Sequence, residues 1–156
     1  MLTYLFRSAA AWTATGLAGG LYYREFTKVN EFDFASPSQL GVVHTHALTW
    51  GTIFMLVLLG LGVLMPALTR DTWMRWGVHL LNAGLVLTVG MMAFKGSVQV
   101  LGRSWSDSPA LAGVSGLGHM TLTASLILLL LAIGRQTKVV QARLDETPSQ
   151  ELVEAR

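Results

Sequence analysis

Residues 40–64, LGVVHTHALTWGTIFMLVLLGLGVL, form an apolar stretch that contains two histidines, His44 and His46, and no Asp, Glu, Lys or Arg. The stretch is long enough to cross a bilayer, because about 20 helical residues span about 30 Å of hydrocarbon. An imidazole in lipid costs free energy unless something binds it. An i, i+2 spacing turns a helix by about 200°, so the two rings leave on nearly opposite faces. The pair therefore predicts two ligands or partners, one on each side of the helix.

The composition of the 156-residue chain is typical of a membrane protein. Hydrophobic residues make up 52% and charged residues 13%, whereas a soluble domain carries about a quarter charged residues. Cysteine is absent, which excludes disulfides, thiolate metal sites and haem attachment through a C-x-x-C-H motif. No basic patch interleaved with aromatic residues accompanies the net charge of +2, so we expect no nucleic-acid partner.

Four apolar segments predict an all-α fold, an integral membrane antiparallel four-helix bundle formed by residues 1–134. The expected helices cover approximately residues 2–26, 37–66, 71–101 and 109–134. Ser36-Pro37 and Ser108-Pro109 each combine an N-cap serine with proline at the first helical position, and Asp71 is a favourable N-cap. Residues 135–156 are expected to form a polar cytoplasmic tail, helical at first and frayed past Pro148.

Lysine and arginine in the flanks predict the orientation. Seven lie beside the two termini and the second loop, and four lie on the opposite side. The seven are Arg7, Arg70, Arg75, Arg135, Lys138, Arg143 and Arg156, and the four are Arg24, Lys28, Lys95 and Arg103. Cytoplasmic flanks are richer in these residues. We therefore expect a multi-pass protein of a bacterial inner membrane, with the lipid bilayer as a partner and both termini in the cytoplasm.

This topology places three histidines in one outer layer. His44 and His46 lie roughly 10–14 Å below the outer end of the second helix, and His119 lies at roughly 15 Å in the fourth helix. His79 belongs to the third helix, which begins at the cytoplasmic side, and it lies roughly 20 Å lower. We interpret His79 as a hydrogen-bonded structural residue beside the inner interface.

Haem b is the cofactor that this layer favours. Imidazoles from transmembrane helices hold haem iron from opposite sides of the macrocycle. We therefore predict that His44, His46 and His119 bind the cofactor, with Arg24 and Lys95 on the side where its propionates need cations. The expected function is electron transfer or sensing of O2 or NO, with a quinone or a redox protein as partner. Whether the chain is an enzyme is left open.

Two alternatives to haem follow from the same residues. Copper or zinc could be held by His44 or His46 together with His119, because neutral imidazoles suit either metal. The other alternative is a membrane assembly or transport protein without a metal, whose histidines are structural or relay protons.

Four motifs carry a resemblance to a known family. They are LYYREFTK at residues 21–28, HTHAL at 44–48, LVLTVGMM at 85–92 and GVSGLGH at 113–119. Through them the chain, up to about Gly134, resembles a small uncharacterised family of four-helix bacterial membrane proteins. That resemblance implies the membrane fold and no assigned activity.

The pair His44 and His46 is also similar to a His-x-His pair in the catalytic subunit of haem–copper oxidases, whose twelve helices form three pseudo-repeats of four. In that family one ring binds the low-spin haem and the other binds the adjacent high-spin haem. The chain lacks the adjacent His-His pair of the copper site and the His-x-x-x-Tyr pattern. The resemblance therefore implies haem and puts reduction of oxygen or nitric oxide in doubt.

The opposite faces of His44 and His46 also predict self-association. A four-helix bundle has one interior, so at least one ring is expected to face outward, where a neighbouring subunit would cover it. A haem that takes His44 from one chain and His46 from the next closes into a ring of subunits. The three-repeat plan of the oxidases favours a homotrimer over a dimer.

Overall fold

The structure, a computed structural model, describes residues 1–33 and 36–154, with the side chains of all of these except residue 107 and residues 147–154. This part of the chain holds four long helices and no strand. They are α1 (Leu2–Val29), α2 (Gln39–Leu64), α3 (Thr72–Val100) and α4 (Pro109–Glu154). Short turns of 3-10 helix connect α2 to α3 at Pro66–Arg70 and α3 to α4 at Ser104–Asp107. The predicted all-α fold is confirmed.

Helix α2 begins later than the sequence predicts. The prediction of Ser36 as its N-cap is wrong, because the helix begins at Gln39 and its cap is Ser38. The Ser38 hydroxyl accepts a hydrogen bond from the backbone N–H of Leu40 and donates one to the carbonyl oxygen of Gly96 in α3. The contact with α3 thus explains why the second serine, rather than the first, caps the helix.

Helix α3 begins and ends as predicted. The Asp71 carboxylate accepts hydrogen bonds from the backbone N–H groups of Trp73 and Met74, which satisfies donors that the first helical turn leaves free. After the last turn, Gly102 adopts a φ of +65°, a left-handed conformation that glycine takes without a steric cost.

Helices α1 and α4 are longer than predicted. Helix α1 reaches Val29 instead of ending near residue 26. Helix α4 continues past Gly134 to Glu154, so the expected fraying past Pro148 is not observed. The polar sequence after Gly134 is rich in Ala, Leu, Gln, Glu and Arg, which are favourable helix formers and favour the continuation as far as Pro148.

Sequential helices run antiparallel, as predicted, and glycines mark their closest approach. Between α3 and α4 the close pairs are Gly77 with Leu129, Gly84 with Leu122, and Gly118 with Thr88. Residue numbers therefore rise on one helix as they fall on the other. A Cβ at any of the three glycines would lie 2.6–2.8 Å from an atom of its neighbour. Small residues thus allow the two backbones to approach closely.

Helix α1 lies against α2 in the same antiparallel sense. Gly16 faces Leu48, and the Thr13 and Thr52 hydroxyls are 3.0 Å apart. Helix α4 packs on α3, whereas α2 and α4 make no extensive contact within the described part of the chain. A cleft therefore separates the second helix from the fourth.

Part of α2 departs from α-helical geometry. The seven residues Ala47–Ile53, directly after His46, form a π-helix. Within it Gly51 lies so close to the Trp12 ring of α1 that a Cβ would overlap the indole. The sequence pattern does not predict this π-helical segment. Turns of π-helix are rare and recur at functional sites.

Three of the four helices are long and apolar enough to cross a membrane. They are α2, α3 and the apolar part of α4, which lies within Ser104–Glu146. Helix α1 is not among them, in agreement with its weaker apolar character. Large side chains on the apolar helices face outward, with exposed fractions of 80% at Leu64, 70% at Met120 and 68% at Leu130. This surface is typical of helices that contact lipid.

Candidate functional site

The cleft between α2 and α4 brings together two of the four histidines. It has a volume of about 210 Å³. Its lining consists of His46 and Trp50 from α2, Leu81 and Thr88 from α3, and His119, Leu122, Thr123 and Leu126 from α4. The prediction that His46 and His119 lie at one level is confirmed.

Hydrogen bonds to backbone carbonyl oxygens fix the same tautomer in both histidines of the cleft. Nδ1 of His46 lies 3.0 Å from the carbonyl oxygen of Val42, and Nδ1 of His119 lies 2.9 Å from that of Ser115. A carbonyl oxygen can only accept, so Nδ1 carries the proton in each ring. The neutral imidazole then keeps its lone pair on Nε2, which is the arrangement that binds metals.

Thr88 contributes a buried hydroxyl to the same surroundings. The residue is 2% exposed, and its Oγ1 is buried without a hydrogen-bond partner among the described residues. A helical threonine often donates to the carbonyl four residues earlier, as Thr27 does to Tyr23 at 2.6 Å. Buried polar atoms without a partner are rare. Thr88 was not among the predicted site residues, although it is the one polar residue in the LVLTVGMM motif.

His44 lies outside the cleft, on the opposite face of α2 as predicted. Its side chain packs against Gly20 of α1, where an added Cβ would be 3.6 Å from the Cβ of His44. Nδ1 is buried without a partner among the described residues, and Nε2 is 3.4 Å from the Thr45 hydroxyl. Helix α1 therefore lies beside the His44 side of α2, and the side chains of both His44 and His46 are partly exposed.

His79 lies in neither location. Its Nδ1 is 3.2 Å from the Tyr4 hydroxyl, and the two ring centroids are 5.0 Å apart. The interpretation of His79 as a hydrogen-bonded residue is confirmed.

The predicted cationic residues do not line the cleft. Arg24 is exposed and forms an ion pair of 3.5 Å with the neighbouring Glu25. Lys95 lies seven residues beyond Thr88 along α3, a rise of roughly 10 Å. Among the described residues, no group of three or more His, Cys, Asp or Glu side chains could hold a metal ion. The chain itself therefore supplies two imidazoles to the cleft and no third ligand of these types.

These features define a class of all-α protein with four long helices, three of them apolar enough to cross a membrane, and a two-histidine cleft between the second and fourth. Within that class, residues 2–136 match the family described as "Protein of unknown function (DUF2871)", and the chain belongs to that family. The predicted membership of an uncharacterised family is thereby confirmed. The resemblance to haem–copper oxidases stays a prediction. Comparisons with curated proteins and with solved structures give no match.

Proposed function

We propose that the protein is a membrane haem b protein in which Nε2 of His46 and Nε2 of His119 bind the iron. The observation that supports this most directly is that both rings line one cleft and both keep the Nε2 lone pair free. The macrocycle supplies four nitrogen ligands, so two axial imidazoles complete the coordination of the iron. The two-histidine site therefore suits haem better than a bare ion.

The size of the cleft bears on how much of a haem one chain could enclose. Its volume of about 210 Å³ is below the roughly 300–1,000 Å³ of pockets that enclose a small molecule. One chain would therefore enclose only part of a haem, and lipid or a second copy of the chain would cover the rest. We propose a homotrimer, in preference to a dimer, in which a neighbouring subunit provides this cover.

Two histidine ligands favour electron transfer over gas sensing. His46 and His119 would together occupy the two iron positions that the macrocycle leaves free, so that O2 and NO would have no position to bind and the group would supply one-electron transfer. A quinone or a redox protein is the proposed partner. Arg24 and Lys95 are the cations that we propose for the propionates of a haem, although neither side chain lines the cleft.

The distribution of charge supports a multi-pass protein of the bacterial inner membrane. The guanidinium of Arg135 lies 4.4 Å from the centre of the Trp73 ring, which puts the polar part of α4 beside the start of α3. Arg75 and Tyr4 line one cavity, which puts the start of α1 there too. The cations of the termini and of the second loop therefore meet at one end, which we place in the cytoplasm.

Copper or zinc in the same cleft is the second candidate, and the small cleft volume favours it. Two imidazoles are one or two ligands short of the usual coordination of these ions. The missing ligands would have to come from another copy of the chain or from water. Elemental analysis of the purified protein separates this candidate from haem.

The haem proposal is tested on the full chain purified in mild detergent. A reduced-minus-oxidised spectrum and a pyridine haemochrome assay measure the haem content. We expect haem in the wild type and its loss in both His46→Ala and His119→Ala. His44→Ala is the matched control, since it removes an imidazole from the same helix outside the cleft, and it should keep the wild-type spectrum. A wild-type spectrum in both cleft variants would overturn the proposal.

A further inference from the structure

A separate cavity lies at the end of the bundle where α1 and α3 begin. It has a volume of about 330 Å³ and is lined by Met1, Tyr4, Thr69, Arg75 and His79. These residues come from the start of α1, the turn after α2 and the first turns of α3. The proposed haem site does not involve any of them.

A series of hydrogen bonds links the interior to this cavity. Trp12 Nε1, which can only donate, is 2.8 Å from Oδ1 of Asn82, and this contact fixes the orientation of the amide. Nδ2 of Asn82 is 3.1 Å from the carbonyl oxygen of Val78, 3.3 Å from the Tyr4 hydroxyl and 3.4 Å from the Ser8 hydroxyl. The Tyr4 hydroxyl is in turn 3.2 Å from Nδ1 of His79.

The contact with Tyr4 occupies Nδ1 of His79 and leaves Nε2 as the ring nitrogen available to a ligand. Either the Tyr4 hydroxyl or Nδ1 can be the donor in that contact. Nε2 donates a hydrogen bond to an acceptor when it carries the ring proton. In His46 and His119, by contrast, the proton lies on Nδ1.

Arg75 gives the same cavity a positive charge. Within the described residues its side chain has no ion pair and no hydrogen bond. The nearest acidic residue in sequence, Asp71, directs its carboxylate to the N–H groups of Trp73 and Met74. Arg75 and His79 lie four residues apart, on one face of α3. An anion that accepts hydrogen bonds from both side chains would fit this arrangement.

The position of the cavity along the helices indicates which class of anion it would bind. Trp73 and Trp76 flank Arg75 in sequence and are exposed, and the Trp76 ring lies edge-on to His79 with centroids 6.4 Å apart. Exposed tryptophans at the end of an apolar helix mark the headgroup level of a bilayer. Basic pockets between helices at that level bind acidic lipid headgroups.

We propose that Arg75 and His79, with Tyr4 and Asn82 as positioning residues, form a binding site for the phosphate of an anionic phospholipid. Arg75 supplies charge and paired N–H donors, and His79 supplies a single N–H from Nε2. The proposal rests on the membrane placement given under Proposed function and is independent of the haem.

Native mass spectrometry of the full chain in mild detergent tests the site. Phosphatidylglycerol and phosphatidylcholine with identical acyl chains are added to wild type, Arg75→Gln and His79→Phe. We expect the wild type to prefer phosphatidylglycerol and each variant to bind it about ten-fold more weakly, since a hydrogen bond to a charged group is lost. Arg70→Gln is the matched control, because Arg70 is exposed at the same end and does not line the cavity.

Three results would overturn the proposal. Unchanged binding of phosphatidylglycerol in Arg75→Gln would remove Arg75 from the site. An equal loss in Arg70→Gln would assign the preference to general charge instead of the cavity. Displacement of the lipid by excess inorganic phosphate would assign the site to a free anion. The haem content of the same samples is measured separately, so failure of one proposal is distinguishable from failure of the other.

Discussion

At the scale of single residues, sequence patterns predicted the important histidines but not how they are grouped. The i, i+2 spacing of His44 and His46 sets opposite faces on any helix. The number of residues from each helix end predicted a similar depth for His46 and His119. Which face meets which helix depends on tertiary packing, and this could not be read from spacing. Thr88 was missed because a threonine in an apolar run normally bonds its own helix, and only the structure shows that it does not.

Replacing Thr88 by valine tests the unpartnered hydroxyl. An unsatisfied buried polar group costs about 1–3 kcal/mol, so Thr88→Val should raise the free energy of unfolding of the ligand-free protein by about 1 kcal/mol. Thr27→Val is the control, because Thr27 is fully buried and its hydroxyl is paired. That variant should lose about 1 kcal/mol. Denaturant titration in detergent, followed by circular dichroism, measures both. Equal destabilisation by the two substitutions would show that Thr88 has a partner.

At the scale of helices, local signals were most reliable where no other element competes. Asp71 caps α3 as predicted because its carboxylate and the backbone N–H groups that donate to it lie within one helical turn. The start of α2 was misjudged because the contact of Ser38 with Gly96, far away in sequence, selects the cap. The π-helix at Ala47–Ile53 could not be predicted from apolar periodicity. Apolar residues occupy most positions of α2, so their spacing does not distinguish a π-helix from an α-helix.

The close approach of α3 and α4 is tested at Gly84. A Cβ there would lie 3.0 Å from the backbone nitrogen of Leu122, which cannot move aside as a side chain can. Gly84→Ala should therefore destabilise the protein by about 1–3 kcal/mol through overpacking. Gly90→Ala on the same helix meets open space and should be stabilising by about 0.5–1 kcal/mol. Chemical unfolding of both variants in detergent gives the comparison, and a neutral Gly84→Ala would contradict the packing.

At the scale of the whole molecule, composition predicted the all-α class, and the lengths of the apolar segments predicted four helices. The predicted four-span topology has the least support at α1, which does not meet the length and composition criteria for crossing a membrane. Ala, Gly, Thr, Trp and Tyr dominate residues 8–23 and, together with Arg7, lower its hydropathy. Its packing along α2 nevertheless places it beside a helix that does meet them. Amphiphilic helices of this kind are difficult to assign from sequence because tertiary contacts, not lipid, cover part of their surface.

Reporter fusions at both ends test the topology. A reporter that is active only in the cytoplasm, fused before Met1 or after Arg156, should be active in both positions if all four helices span the membrane. An active reporter at one end alone would mean that α1 does not cross. Inactivity at both ends, in well-expressed fusions, would reverse the proposed orientation and put the Arg75 cavity on the outer side.

Helix α4 is joined to the other helices chiefly through α3, and this has a mechanical consequence. Contact along one side leaves the gap between α4 and α2 without extensive direct packing. A group bound by both His46 and His119 would link the two helices across that gap. The size of the bound group would then set the distance between α2 and α4, so that its binding and loss would change that distance.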